Sequence, residues 1–412
     1  MYMFTECSWY GIILELKYNE HKFTMQYCTL LKKPERYIKM LKIFHTADIH
    51  LDAPFSLTDP VEAEKRRTGL RSTFCSMIHA ARRMEADVFL IAGDLFEDSF
   101  ATKDTAAIVL REIESFPDCD FFIIPGNHDP YSENSPYALL TWPQNVHIFT
   151  DESPAYFDLP QKNARIYGHA YTSKEIPDGL FSGFRVEDET KINILLAHGF
   201  VNMPQSACNV LMKSEIENSG LDYIALGHVH THGGFEKAGN TVYAYSGCAV
   251  GRSFDECGYK YAVVGSISKE NGVANTDFSV YRCCDRRFEI ARVDVSGTRN
   301  IAEALEKIKQ DTAQYGEDTS LRVILEGVVS PDMSLDADDV RRVLRMPSYV
   351  EVADNTVPLY DTEYLKNDMT IVGAFYRRLE PSLLSDDPTE RKKAALALRY
   401  GLAALCGKDI NG

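Results

Sequence analysis

From Met40 onward the chain alternates short apolar runs with polar clusters. KIFHTAD (42–48), DVFLIAGD (87–94), DFFIIPGNHD (120–129), INILLAHG (192–199) and DYIALGHVH (222–230) share one form: an apolar run, then Asp, Asn or His beside Gly. Nearly continuous runs rich in Ile, Val and Phe predict strands buried on both faces, and the intervening stretches 60–84 and 102–116 have helical spacing. The result is an α/β layered domain. Open α/β sheets place ligands at the carboxyl ends of their strands, so the five polar clusters are expected to meet at one site.

Beyond Arg286 the rhythm becomes a smaller alternation. FEIARVDV, SLRVILEGVV and SYVEVADNTV read as strands, with NIAEALEKIKQDTAQY and DADDVRRVLRM as helices between them. This predicts a compact α+β module over 286–365. The tail at 366–412 is helical and amphipathic, with Pro388 near a helix start and Gly407 near its stop. Residues 1–39 carry Tyr and Cys without clear periodicity. They are expected to be either an extension preceding a natural start at Met40, or an extra hairpin packed on the domain. The main domain is accordingly placed at 40–285.

A length of 412 residues supports more than one core. Hydrophobic residues make up 45% and charged residues 25%, with no run of about 18 apolar residues to span a membrane. The N-terminal segment lacks the pattern of a secretory signal, so a cytoplasmic location is expected. Ten scattered cysteines without a CxxC pair read as free thiols rather than a disulfide framework. The net charge of -16 argues against binding nucleic acid by bulk electrostatics; such a substrate would need bound cations and a local basic patch.

Asp48 and His50, Asp94, Asn127 and His128, His198, and His228 and His230 stand at the five strand ends. Carboxylate, imidazole and amide donors without thiolates suit manganese or iron before zinc or magnesium. Residues two apart on a strand share a face, so Asp48 with His50, and His228 with His230, are expected to chelate in pairs. The adjacent Gly93, Gly126, Gly199 and Gly227 allow sharp turns and close approach. A single DxH or GD is common by chance, whereas all five blocks in this order are not.

HTADIHLD, GDLFE, PGNHD, LLAHG and LGHVH resemble the signature of the calcineurin-like metallophosphoesterases, and in their detailed form its DNA-repair nuclease branch of SbcD-like and YhaO-like proteins. The resemblance covers about residues 40–255. It implies a four-layer α-β-β-α sandwich with a smaller capping module and a helical C-terminal tail. It also implies two divalent metal ions, one held by Asp48, His50 and His230 and the other by Asn127, His198 and His228, with Asp94 bridging. His128 would act at the scissile phosphate without binding metal, and the neighbouring Asp129 is expected to orient its imidazole. Where some relatives carry a histidine after GDLF, this chain has Glu97, a candidate substrate contact together with Arg252.

Such a metal pair, about 3.5–4 Å apart, can bind a phosphodiester oxygen, activate water and stabilise the leaving group. The expected function is a DNA exonuclease working with a coiled-coil ATPase of the SbcC/YhaN type, the tail being the candidate docking segment and a homodimer being plausible by resemblance. The alternatives are a small-molecule or nucleotide phosphoesterase using the same metals, and a non-catalytic assembly subunit. His45, Asp52, His169 and His232 are expected to serve packing or support. Lys65, Arg66, Arg67 and Arg71 are expected either to touch DNA or to form a solvated helix face.

Overall fold

The structure, a computed structural model, describes residues 14–19, 22–27, 40–55, 60–97, 101–176, 179, 181–206, 208–331, 333 and 335–405. Two six-stranded mixed sheets form its centre. In the first, the order across the sheet is Val273–Arg282, Tyr261–Glu270, Met40–Thr46, Val88–Ala92, Asp120–Ile124 and Val146–Ile148. The last four of these run parallel. The order in the second is Glu236–Ala238, Thr241–Tyr245, Tyr223–Gly227, Ile192–His198, Ala164–Gly168 and Ala155–Leu159, parallel except at the two edges.

Side-chain alternation explains how the layers stack. Leu41, Ile43, Val88, Leu90, Phe122 and Ile124 leave the first sheet on one face and pack against Ile194, Leu196, Tyr223 and Ala225 of the second. Phe44, Phe89 and Phe121 leave on the opposite face, their rings stacked at 4.9 and 5.2 Å, and are covered by Phe74, Met77 and Ile78 of helix Pro60–Arg83. Val109 and Ile113 of helix Lys103–Glu114 complete that layer. Each fully buried ring contributes about 1.5–3 kcal/mol, so the strands are held by apolar burial on both sides, as their composition predicts. The outer face of the second sheet lies under Leu211, Phe181 and Ile216, the last from the short helix Lys213–Glu217.

His45 shares the inter-sheet face with Leu41 and Ile43 and is fully buried, its Nδ1 2.8 Å from the Tyr223 hydroxyl and its Nε2 3.2 Å from the Leu226 carbonyl. It cross-links the sheets, which is the supporting role expected of it. Burial lowers its pKa to about 3. Below pH 6.5 the unfolded chain therefore binds a proton that the folded chain refuses, and stability falls as pH falls, by about 1.4 kcal/mol per unit. Urea unfolding at pH 7 and pH 4.5 should show a loss about 2–3 kcal/mol larger in the wild type than in His45→Gln. Equal losses in the two proteins would contradict this account.

A separate three-stranded parallel sheet, Arg287–Asp294, Thr319–Glu326 and Tyr349–Asp354, carries helices Ile301–Asp311 and Ala337–Val343. Val293, Leu321, Val323 and Leu325 pack against Ala304, Ile308 and Val340 in a core of their own. Helices Thr362–Asn367, Ile371–Leu383 and Pro388–Leu405 follow, sharing Leu365, Tyr376, Leu398 and Leu402. Pro388 opens its helix; Gly407 lies outside the described residues. Within the first 39 residues, Leu14–Asn19 and Lys22–Tyr27 pair antiparallel in a two-stranded sheet. No helix among the described residues is long and apolar enough to cross a membrane. The cysteines among them are free thiols.

Candidate metal centre

The loops after Thr46, Ala92, Ile124, His198 and Gly227 meet at the carboxyl edge of the two sheets. Asp48 N and His50 N donate to the carbonyls of Gly93 and Asp94, at 3.1 and 3.0 Å, which locks the first loop onto the second. The paired residues do not converge by strand alternation, as the spacing predicts. The strand ends at Thr46, and Asp48 and His50 both have φ of 50°, with Asp94 at 53° and His228 at 93°. Left-handed backbone at non-glycine residues costs of order 1–3 kcal/mol each and persists where surrounding contacts over-determine it. Here the cross-loop hydrogen bonds supply that constraint, and the turned backbone rather than the pleat aims the side chains.

Nε2 of His198, Nδ1 of His228 and Oδ1 of Asn127 form one triangle: His198 to Asn127 is 2.9 Å, His228 to Asn127 3.1 Å and His228 to His198 3.3 Å. Neighbouring ligands on a cation with bonds of about 2.0–2.2 Å stand roughly 3.0–3.5 Å apart, so this spacing fits a shared ion. Donor atoms of Asp48, His50 and His230 lie within 4.8 Å of one another in a second group, and those of Asp48, Asp94 and His198 in a third. Asp94 Oδ2 sits between the groups, 3.7 Å from His50 Nε2 and 3.4 Å from His198 Nε2. Neither ring nitrogen of buried His50 makes a well-aligned hydrogen bond; Nδ1 has the Glu97 carboxylate 2.7 Å away, which leaves Nε2 as the nitrogen open to a cation.

The opposite ring nitrogens are held by other groups. His198 Nδ1 lies 2.9 Å from the Ala92 carbonyl, Glu97 Oε2 lies 2.7 Å from His50 Nδ1, and Glu256 Oε1 lies 2.7 Å from His230 Nδ1. Partners of this kind fix the tautomer and leave Nε2 free to bind metal. Burial opposes ionisation of Asp94, but His198, His50 and His128 hold its carboxyl well below the ordinary range. Burial likewise works against protonated His198, yet Asp94 prevails and raises its pKa to about 9. His228, by contrast, is lowered to about 4, chiefly by burial.

Close packing leaves no room for side chains at the turns. A Cβ on Gly126 would stand 2.1 Å from Asp94 Oδ1, and one on Gly93, where φ is 91°, would stand 2.2 Å from His198 Nδ1. Gly126→Ala should therefore displace Asp94 and lower hydrolysis on the order of 10²-fold, since misplacement by about 1 Å costs that much. Calorimetric titration with a divalent cation should show weakened uptake; a variant matching wild type in both would refute the steric argument.

One expectation is corrected. Asp129 does not orient His128: its Oδ1 accepts from Gly126 N at 2.7 Å, and its Oδ2 accepts from Phe96 N at 2.9 Å and from the Tyr137 hydroxyl. Burial, then the Asp94 charge, raises its pKa to about 7. The loop turns this side chain into the domain interior, and the carboxylate on His128 Nδ1 is that of Glu97, at 2.9 Å. Glu97 is accordingly a support shared by His50, His128 and Arg252. Its hydrogen bond to His128 raises the pKa of that imidazole, which remains about two-fifths exposed at the mouth of the site.

Arg252 lies beside the site, 3.2 Å from Glu97 Oε2 and 3.0 Å from Glu256 Oε1. Glu256 carries no motif and was not legible in the sequence. Its only sequence signal is its place four residues after Arg252, in the turn that follows the last strand of the second sheet.

The remaining candidates take supporting places. Asp52 accepts from Thr102 N at 2.7 Å and Thr105 Oγ1 at 2.7 Å. His232 Nδ1 lies 2.7 Å from the Tyr245 carbonyl, and buried His169 has its Nε2 3.1 Å from Asn209 Nδ2. Lys65 and Arg66 pair with Glu62, Arg67 with Glu64, and Arg71 with Glu64 and Asp52, so the basic cluster is neutralised largely along its own helix.

The sequence model of the family described as calcineurin-like phosphoesterase matches residues 41–232. Over 316 residues the chain is 29% identical to "Uncharacterized metallophosphoesterase YhaO" of Bacillus subtilis (strain 168), spanning 72% of this chain and 74% of that protein. It is 26% identical over 304 residues to "DNA double-strand break repair protein Mre11" of Saccharolobus solfataricus, spanning 70% of this chain and 75% of that protein.

Proposed function

We propose that this chain, whose residues 41–232 belong to the calcineurin-like metallophosphoesterases, is a DNA exonuclease of repair that uses two divalent cations, manganese first among them. Metal-dependent phosphoester hydrolysis is the chemistry of the family. The observation that carries a two-cation reading is the position of Asp94 Oδ2 between His50 Nε2 and His198 Nε2. Asp48, His50 and His230 would hold one ion, Asn127, His198 and His228 the other, and Asp94 both. When bound, such a pair supplies Lewis acidity to a phosphodiester oxygen and lowers the pKa of an attacking water.

The protein's own groups do the rest. His128, open to the cleft and with its pKa raised by Glu97, is placed to donate a proton or hydrogen bond to the leaving oxygen. Arg252, steadied by Glu97 and Glu256, brings a fixed positive charge beside the same cleft. The choice of DNA rests on the similarity to the Mre11 protein and on the form of the five sequence blocks.

We place the catalytic domain at 40–285, with 286–365 capping its cleft and 366–412 meeting the coiled-coil ATPase. The last segment leaves Met369, Ile371, Leu384 and Leu396, in its helices and at their ends, at least half exposed, which suits it to a partner. Deleting 370–412 should abolish association with such an ATPase in a pull-down; unchanged association would refute that assignment.

The net charge of -16 favours one rival, a small-molecule or nucleotide phosphoesterase. Labelled linear duplex and single-stranded DNA should be degraded in manganese alongside bis-p-nitrophenyl phosphate. Hydrolysis of the small ester with no loss of either DNA would decide for the rival.

A further inference from the structure

The turn at 251–258 touches the candidate metal centre through Arg252 and Glu256 and the separate three-stranded sheet through Phe254 and Gly258. At the centre, Glu256 Oε1 lies 2.7 Å from His230 Nδ1 and 3.0 Å from the Arg252 guanidinium. Its Oε2 accepts from Arg252 N at 2.7 Å and, weakly, from Cys248 Sγ at 3.8 Å. The carboxylate is thus filled on both oxygens by groups facing the site, and only 11% of the side chain is exposed. Two residues earlier, Phe254 points away. Its ring meets that of Phe288 edge to face at 5.0 Å, and the Arg322 guanidinium lies over it at 4.2 Å.

Phe288 and Arg322 stand on the first two strands of the three-stranded sheet, and Arg322 is held there by a bidentate pair with Glu351, at 3.0 and 3.2 Å, on the third. Gly258 N closes the turn by donating to the Phe288 carbonyl at 2.9 Å. Every strand of that sheet therefore contributes to the clasp around one loop.

We propose that Glu256 is a positioning residue, fixing the tautomer and direction of His230 and the seat of Arg252, and that Phe254 lets the placement of the three-stranded sheet govern that fit. The chemistry is that of a carboxylate on the far nitrogen of a metal-binding imidazole, whose removal costs about 10–100-fold in metal affinity. A residue pinned from a separately cored sheet makes the affinity of one cation depend on how that sheet is seated. A contact made to the sheet by DNA or by another protein would then be felt at His230.

This proposal rests on the two-cation reading, so the wild-type protein, stripped by chelator, is first titrated with Mn2+ by calorimetry. Fewer than two binding events would sink that reading itself. Given two, Glu256→Ala should weaken one of them by about 10–100-fold and leave the other within about 3-fold. Glu256→Asp, too short to reach His230, should do the same should the alanine variant not fold. Glu256→Gln, which keeps an acceptor of the same length, should recover affinity to within about 3-fold of wild type while Arg252, left with Glu97 as its remaining charge partner, raises KM.

Phe254→Ala, which does not reach the centre, should weaken the same event by about 3–10-fold, and the double variant Phe254→Ala with Glu256→Ala should be no weaker than Glu256→Ala alone, as residues acting through one another behave. A role confined to stability would lower Tm and leave both binding events unchanged. Wild-type affinities at both events in Glu256→Ala and Glu256→Asp would overturn the proposal. An unchanged titration in Phe254→Ala would overturn its second half.

Discussion

Asp94→Asn should bind at most one cation tightly and hydrolyse bis-p-nitrophenyl phosphate at least about 10³-fold more slowly than wild type, a barrier increase of roughly 4 kcal/mol. The buried carboxylate has one oxygen within 4 Å of both His50 Nε2 and His198 Nε2, and its Oδ1 also accepts from His128 N at 3.0 Å. Asparagine can keep that last hydrogen bond, so the loop should stay folded while the charge that draws two cations together is lost. Calorimetric stoichiometry and circular dichroism check the two halves. A variant that holds two cations and keeps its rate within about 10-fold would show that Asp94 does not bridge.

His128→Gln should give the opposite separation. Cation uptake should match wild type, because His128 lies outside the donor triangle and its Nδ1 is occupied by Glu97. Turnover should fall by about 10²–10⁴-fold, the range lost with a positioned general acid. Substrates with good leaving groups should be spared relative to DNA, since they need less protonation of the departing oxygen. Equal losses on both classes, or a loss of metal with activity, would move His128 from the leaving group to the metal.

The contrast between the two variants tests the division of labour at the site. Both residues lie in loops joined by hydrogen bonds, one of them from His128 N to Asp94 itself, yet one is 1% exposed and the other opens onto the cleft. On the proposed reading, burial suits Asp94 to a cation and openness leaves His128 free to meet substrate. Glu97 serves both sides, contacting His50 and His128 with its two oxygens, so changing it should disturb metal and proton chemistry together.

Much of this was legible without coordinates because it is local. The apolar runs before Asp48, Asp94, Asn127, His198 and His228 specify strands, and a strand followed by Gly and a polar residue specifies a loop at a sheet edge. The helices at 60–83 and 103–114 and the alternation beyond Arg286 follow from periodicity in the same way. The sequence by itself thus determined which elements form and which metal-binding side-chain types crowd at their ends.

Tertiary structure decided how those residues are used. Asp48 and His50 converge through left-handed backbone held by another loop, not through the pleat that their spacing suggests. Asp129 turns inward and Glu97 takes its place beside His128. Glu256 stands 26 residues from the histidine it holds, in a turn of ordinary composition. Partnerships of this kind depend on the direction of single side chains across separate loops, which no short stretch of sequence encodes; they arise only when two sheets and the turn at 251–258 are brought together in space.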